Sequence, residues 1–128
     1  MKFKENGKPL VLLLIEDLIF VSKISIAAKE TGVKTRSVTK NDLDDIENLV
    51  GVADLLIIDM NAEYINPMEF IRTVSKLPTG QDIRVIGFAS HIQQDLMKEA
   101  EQYPEVTVLT RSQFVEQLPG ILQGVKQE

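Results

Sequence analysis

Four short stretches of the chain hold side chains whose types and positions could do chemistry. Glu16 and Asp17 follow the apolar run Leu10 to Ile15. Asp59, with Met60 and Asn61 after it, follows Leu55-Leu56-Ile57-Ile58. Ala89-Ser90-His91 follows Arg84 to Phe88, and Thr110-Arg111-Ser112 follows Val106 to Leu109. If each run is a strand of one parallel sheet, all these stretches lie beyond strand carboxyl ends, where open α/β sheets bind their ligands. Carboxylates brought to one edge repel unless a cation or a proton lies between them. Oxygen-only ligation with room for water suits Mg²⁺. An aspartate in such a cluster can attack a phosphoryl group while the metal neutralises the transferring oxygens.

The segments between these stretches carry the patterns needed to bring them together. Pro9 to Ile15 reads as a first strand. A helix over about 18–30 follows, with Phe20, Ile24, Ala27 and Ala28 on one face and Gly32 placed to end it. Val33 to Val38 is a second strand; Thr39 with Asp42 resembles a capping box for a helix reaching about Val50 and burying Leu43, Ile46 and Leu49. Leu55 to Ile58 is apolar on both faces, as a central parallel strand must be. Asn66-Pro67-Met68-Glu69 is a strong helix start, and that helix buries Phe70, Ile71, Val74 and Leu77 before Pro78-Thr79-Gly80 breaks the chain. Ser90 is placed to cap a fourth helix with Ile92, Leu96, Met97 and Ala100 inward. Ser112 is placed to open a last helical segment with Phe114, Val115, Leu118, Ile121, Leu122 and Val125. Pro119 must kink that helix or divide it. The order predicts a doubly wound α/β fold: five parallel strands with helices on both faces, flavodoxin-like topology and strand order 2-1-3-4-5.

The 128 residues suit a single domain spanning 1–128, with a core over about 9–126. The absence of cysteine excludes disulfides, thiolate catalysis and Cys-based metal sites, and suits a reducing cytosol. The first eight residues are too polar for a signal peptide, and Leu10 to Ile15 is too short to span a membrane, so a cytoplasmic location is expected. A net charge of −5 argues against gripping a nucleic-acid backbone. There is no Gly-x-Gly-x-x-Gly and no P-loop, and Glu16-Asp17-Leu18-Ile19-Phe20 is acidic and apolar where an FMN phosphate cradle would need glycines and hydroxyls.

Asp54-Leu55-Leu56-Ile57-Ile58-Asp59-Met60-Asn61 resembles the third strand of CheY-like response-regulator receiver domains. The resemblance extends from Pro9 to about Gln123 and rests on element order together with acids at two strand ends. It implies Asp59 as phospho-acceptor, and Mg²⁺ held by Glu16, Asp17, Asp59 and the backbone carbonyl of Asn61. It also implies a phosphoryl-binding hydroxyl after the fourth strand, for which Ser90 is the candidate, and a cation after the fifth, for which Arg111 is. The chain departs from that pattern. A one-residue shift, favoured by the spacing to Gly32, would put Ile15 and Glu16 at the paired-acid positions and lose one ligand. Glu63 and Pro67 stand where the family's loop Pro and Gly do. Ungapped counting puts Ala89 at the hydroxyl position, with Ser90 one step beyond. Arg111-Ser112 replaces Lys-Pro; Arg and Lys are not interchangeable at a tight phosphate site, and without the Pro no cis peptide is expected. Gly87-Phe88-Ala89-Ser90-His91 with Arg111-Ser112-Gln113-Phe114 resembles a divergent receiver-like subgroup.

Plainer roles compete with these. Asp17 and Ser90 are good helix caps, Arg111 can pair structurally with Asp59 or Glu16, and His91 suits a solvated or capping position. Two functions therefore follow from the resemblance. One is a single-domain regulator phosphorylated on Asp59 by a histidine kinase with Mg²⁺. The other is a pseudo-receiver, a phosphate-independent module that binds a protein partner. It could also form a homodimer through the face made by the fourth helix, fifth strand and last helix. The substituted positions favour the second, with no enzymatic role beyond phosphate turnover at Asp59.

Overall fold

The computed structural model describes residues 7–78, 83–90 and 94–126. Its strands are β1 (Leu10–Leu14), β2 (Lys34–Ser37), β3 (Leu55–Asp59), β4 (Arg84–Ala89) and β5 (Val106–Thr110). Its α-helices are α1 (Leu18–Thr31), α2 (Ile46–Gly51), α3 (Pro67–Ser75), α4 (Gln94–Ala100) and α5 (Arg111–Lys126), with a 3₁₀ segment over Lys40–Asp45. The strands form one parallel sheet in the order β2-β1-β3-β4-β5, as the sequence pattern predicts.

Alternation along the strands sorts the core into two layers. Leu12, Leu14, Leu56 and Ile58 pack on one side with Phe70, Ile71 and Val74 of α3 and Leu49 of α2. Val11, Leu13, Leu55 and Ile57 pack on the other with Phe20 and Ile24 of α1 and Phe114 and Leu122 of α5. Hence β1 is apolar throughout and β3 is apolar up to Asp59. Asp54, just before β3, is the buried polar exception among the described residues, and its Oδ2 accepts the Leu10 amide at 2.9 Å. Among the described residues no helix is long and apolar enough to cross a membrane.

The local signals mostly act as expected. Gly32 ends α1 at φ 87°, a left-handed position. Asn66 caps α3 by accepting the Glu69 amide at 3.0 Å, with Pro67 in the first turn. Asp42 Oδ2 accepts the Thr39 amide at 2.8 Å.

Two expectations need correction and a third is narrowed. Leu43 is 42% exposed rather than buried. Its segment winds as a 3₁₀ turn, which over three residues rotates Leu43 about 60° away from the α-helical stripe of Ile46 and Leu49. Of the two alternatives at Pro119, division does not occur: the last helix runs through it to Lys126. Pro119 and Val115 lie on the exposed face, so the Val115 carbonyl that loses its partner can meet water. For the same reason Val115 is 52% exposed rather than inward. Thr79, Gly80, His91 and Ile92 lie outside the described residues.

Gly87 in β4 is required by close approach. A Cβ there would stand 2.9 Å from Met60 Sδ, and Met60 is buried. Gly87→Val should therefore cost about 1–3 kcal/mol by overpacking. A thermal melt would show this as a Tm lower by roughly 3–12 °C, with Gly87→Ala nearer the native value.

Candidate functional site

The strand register brings the sequence-predicted residues to one rim. Leu14 is opposite Ile58, Asp59 opposite Phe88, and Ala89 opposite Thr110. Glu16 and Asp17, Asn61, Ser90 and Arg111 therefore leave their strands at the same end of the sheet.

Each acid is held by a different local device. Asp17 is the N-cap of α1: its Oδ1 accepts the amides of Ile19 at 3.0 Å and Phe20 at 3.2 Å. Its Oδ2 accepts from Arg111 Nη2 at 3.1 Å. Glu16 reaches across to the loop after β3, where its Oε1 accepts the amides of Glu63 and, at 2.6 Å, Tyr64. Asp59 Oδ1 accepts the Asn61 amide at 2.9 Å. The Asn61 side chain turns to the fourth strand's end, where its Oδ1 accepts the Ser90 amide at 3.0 Å and lies 3.3 Å from Ser90 Oγ. Ala89 is buried as the last residue of β4 and offers no polar atom on its side chain.

Arg111 is placed by a capping box that the sequence reading missed. The Thr110 amide donates to Gln113 Oε1 at 3.0 Å, and the Gln113 amide donates to Thr110 Oγ1 at 3.1 Å. The Thr-x-x-Gln spacing of Thr110-Arg111-Ser112-Gln113 was the signal for it. It starts α5 one residue before Ser112 and fixes Arg111 in the first turn. The guanidinium lies 4.3 Å from the centre of the Phe20 ring, a cation–π contact, while it bonds Asp17.

The charges act on one another. Burial raises the Asp59 carboxyl above its ordinary 3.8, the Asn61 amide opposes the rise, the Glu16 and Asp17 carboxylates add to it, and the Arg111 guanidinium opposes it. Asp17 moves the other way: the Phe20 amide and then the Arg111 guanidinium hold it below its ordinary value. These directions have opposite consequences for stability. Native Asp59 binds its proton more tightly than the unfolded chain, so its contribution declines as pH rises from 3.8 through the raised folded-state value. The Asp17 contribution is present above 3.8 and is lost as pH falls through the lowered value. Asp59→Asn keeps the acceptor for the Asn61 amide and removes the confined charge. Melts at pH 7 should show this variant a few degrees more stable, about 1–4 °C, with the gap closing as the pH falls below that of an ordinary carboxyl.

As arranged, the acids of the rim already have protein partners. Both Asp17 oxygens and one Glu16 oxygen already accept protein donors, and a guanidinium stands among the acids. Among the described residues no three His, Cys, Asp or Glu side chains come together as a metal-holding group.

No known family model matches the sequence, and no curated protein matches it. Solved structures do. The chain is similar to the chemotaxis response regulator CheY4 of Vibrio cholerae, at TM-score 0.75 and 16% identity over 93% of this chain and 99% of that one. It is similar to the phosphorylated cyanobacterial phytochrome response regulator RcpA, at TM-score 0.71 and 16% identity over 94% and 93%. It is also similar to a protein described as pilus assembly-related from Burkholderia pseudomallei, at TM-score 0.68 and 15% identity over 99% and 96%. Strand order, element order and these likenesses agree: the chain has the fold of CheY-like response-regulator receiver domains.

Proposed function

We propose that this chain is a pseudo-receiver, a signal-transduction module that acts by binding a protein partner without accepting phosphate. The observation that carries the reading is the position of Arg111, whose guanidinium stands between Asp17 and the Phe20 ring and supplies the positive charge that clustered acids require. At Asp17 Oδ2, Mg²⁺ would have to displace that guanidinium. The Asn61–Ser90 contact and the side chain of Ala89 further support it, since the Ser90 hydroxyl already donates to Asn61 and Ala89 has no hydroxyl to offer. The fold itself does not select between functions, because it is shared with a phosphorylated response regulator and with a protein described as pilus assembly-related.

The partner on this reading is a histidine kinase or a downstream target, engaged at the rim or at the face of α4, β5 and α5, which could also pair two copies. Exposed Leu18, Ile19 and Val115 beside these surfaces suit protein contact. Titration with MgCl₂ followed by amide NMR tests the reading. Small, linear shifts at residues 16–18, 59–61 and 110–112 are expected. A saturating response there would reinstate Asp59 as a phospho-acceptor with Glu16, Asp17 and the Asn61 carbonyl as ligands.

A further inference from the structure

We infer that the hollow where the end of α1 meets the start of β2 binds a phosphate-type anion carrying at least two negative charges. The hollow lies at the amino ends of the strands, opposite the acid rim, so its chemistry is independent of whether Asp59 takes phosphate. It is a cavity of about 300 Å³ whose lining includes Lys8, Ser25, Lys29, Gly32, Lys34 and Thr35. A Cβ on Gly32 would stand 3.9 Å from Lys126 Nζ, which places that ammonium at the same wall. Lys8 precedes β1, Lys29 is in the last turn of α1, and Lys126 ends α5. Cations from three separate segments therefore converge on one cavity. No acid is among its described lining residues; Glu30, next to Lys29 on α1, lies outside it.

In a chain of net charge −5 this is a local reversal of sign. A lysine in the last turn of a helix ordinarily offsets the helix's negative end, and singly Lys29 would do only that. Here that end is already satisfied. The Ala27 carbonyl accepts the Thr31 hydroxyl at 2.8 Å, the Ala28 carbonyl accepts the Val33 amide at 2.8 Å, and the Lys29 carbonyl accepts the Gly32 amide at 3.2 Å. Among the described residues no carboxylate lies within ion-pair distance of Lys8, Lys29 or Lys126. Like charges gathered in this way repel, and an anion between them removes the repulsion. Ser25 and Thr35 add neutral donors. Their hydroxyl oxygens are 3.0 Å apart and half-buried. That bond uses one of the pair's two hydrogens, and among the described residues no second acceptor takes the other. Ammonium point charges beside a hydroxyl donor suit the tetrahedral oxygens of phosphate, whereas a planar carboxylate is better matched by a guanidinium fork.

The test is amide NMR titration of the full chain with inorganic pyrophosphate, without divalent metal and at constant ionic strength. Saturable shifts are expected at residues 25, 29 and 32–35, with a dissociation constant below about 1 mM, and sodium acetate should produce none. Lys29→Gln and Lys126→Gln, both at exposed positions, should each weaken binding at least about fivefold. Lys23→Gln, on α1 but outside the lining, should not change it. Vesicles distinguish the source of the anion. Sedimentation with phosphatidate-containing but not neutral vesicles, lost in Lys29→Gln, assigns it to a lipid headgroup. Pyrophosphate binding without sedimentation assigns it to a soluble phosphorylated molecule. The inference is overturned if the shifts centre on Arg111, if acetate binds as well, or if neither Lys29→Gln nor Lys126→Gln weakens binding. Equal weakening by Lys23→Gln would overturn it too, by making the response one of overall charge.

Discussion

Phe114→Ala is expected to lower the melting temperature by roughly 10–25 °C, the largest effect of any single change considered. Phe114 is fully buried and stacks on Phe88 with ring centres 4.8 Å apart and an 18° tilt. Phe20 closes the trio at 5.1 Å from Phe88 and 5.9 Å from Phe114. Removing one large core aromatic costs about 3–5 kcal/mol in transfer and cavity terms, and aromatic pairs in this geometry add about 0.5–1.5 kcal/mol beyond their area. The trio also sits under the site, since Phe20 presents its ring to Arg111. Circular-dichroism melts of Phe114→Ala and Phe114→Leu provide the check. The leucine variant should retain most of the stability, because it leaves far less void. A fall below about 5 °C for the alanine variant would mean that the trio does not close this side of the core.

On the pseudo-receiver reading, Arg111→Gln is expected to create divalent-cation binding. The guanidinium is the local cation for Asp17 and opposes the rise of the Asp59 carboxyl. Glutamine keeps the volume and some hydrogen bonding but removes the charge. The Asp17 Oδ2 then loses its charged donor, and the rim carboxylates keep only their backbone amide donors. A small hard cation with its waters is the natural substitute. The expected signature is a saturable Mg²⁺ response with a dissociation constant of about 1 mM, worth about −4 kcal/mol, read by calorimetry or amide NMR. The fold should persist, since the lost cation–π contact is worth only about 0.5–1 kcal/mol at an exposed position. If the variant stays indifferent to Mg²⁺, Arg111 is not what occupies the cation's place.

The sheet was legible in the sequence because β1, β3 and β4 are apolar runs that must be buried, because the polar edge strand β2 lies between Gly32 and Thr39, which mark where the flanking elements end and begin, and because Asn66-Pro67 marks the start of α3 by its own chemistry. The 3₁₀ winding at Lys40–Asp45 was not legible, since Leu43, Ile46 and Leu49 fit an α-helical stripe as written. At Pro119 the sequence leaves a kink or a division of α5 open, because it does not reveal that this face of α5 points to water. Within the site, the convergence of Glu16, Asp17, Asp59 and Arg111 follows from strand ends alone. Which oxygen meets which donor does not. Glu16 reaching the Glu63 and Tyr64 amides spans more than forty residues, and the Arg111–Asp17 pair spans 94. Thr110-Arg111-Ser112-Gln113 did carry a readable signal, because its capping box fixes where α5 begins.

The most direct measurement is the intact mass of the native chain after brief incubation with a small acyl phosphate and excess Mg²⁺. An unchanged mass is the result this account predicts. A gain of one phosphoryl group that disappears in Asp59→Asn would contradict it, and would make Arg111 a displaceable partner rather than the fixed cation of the rim.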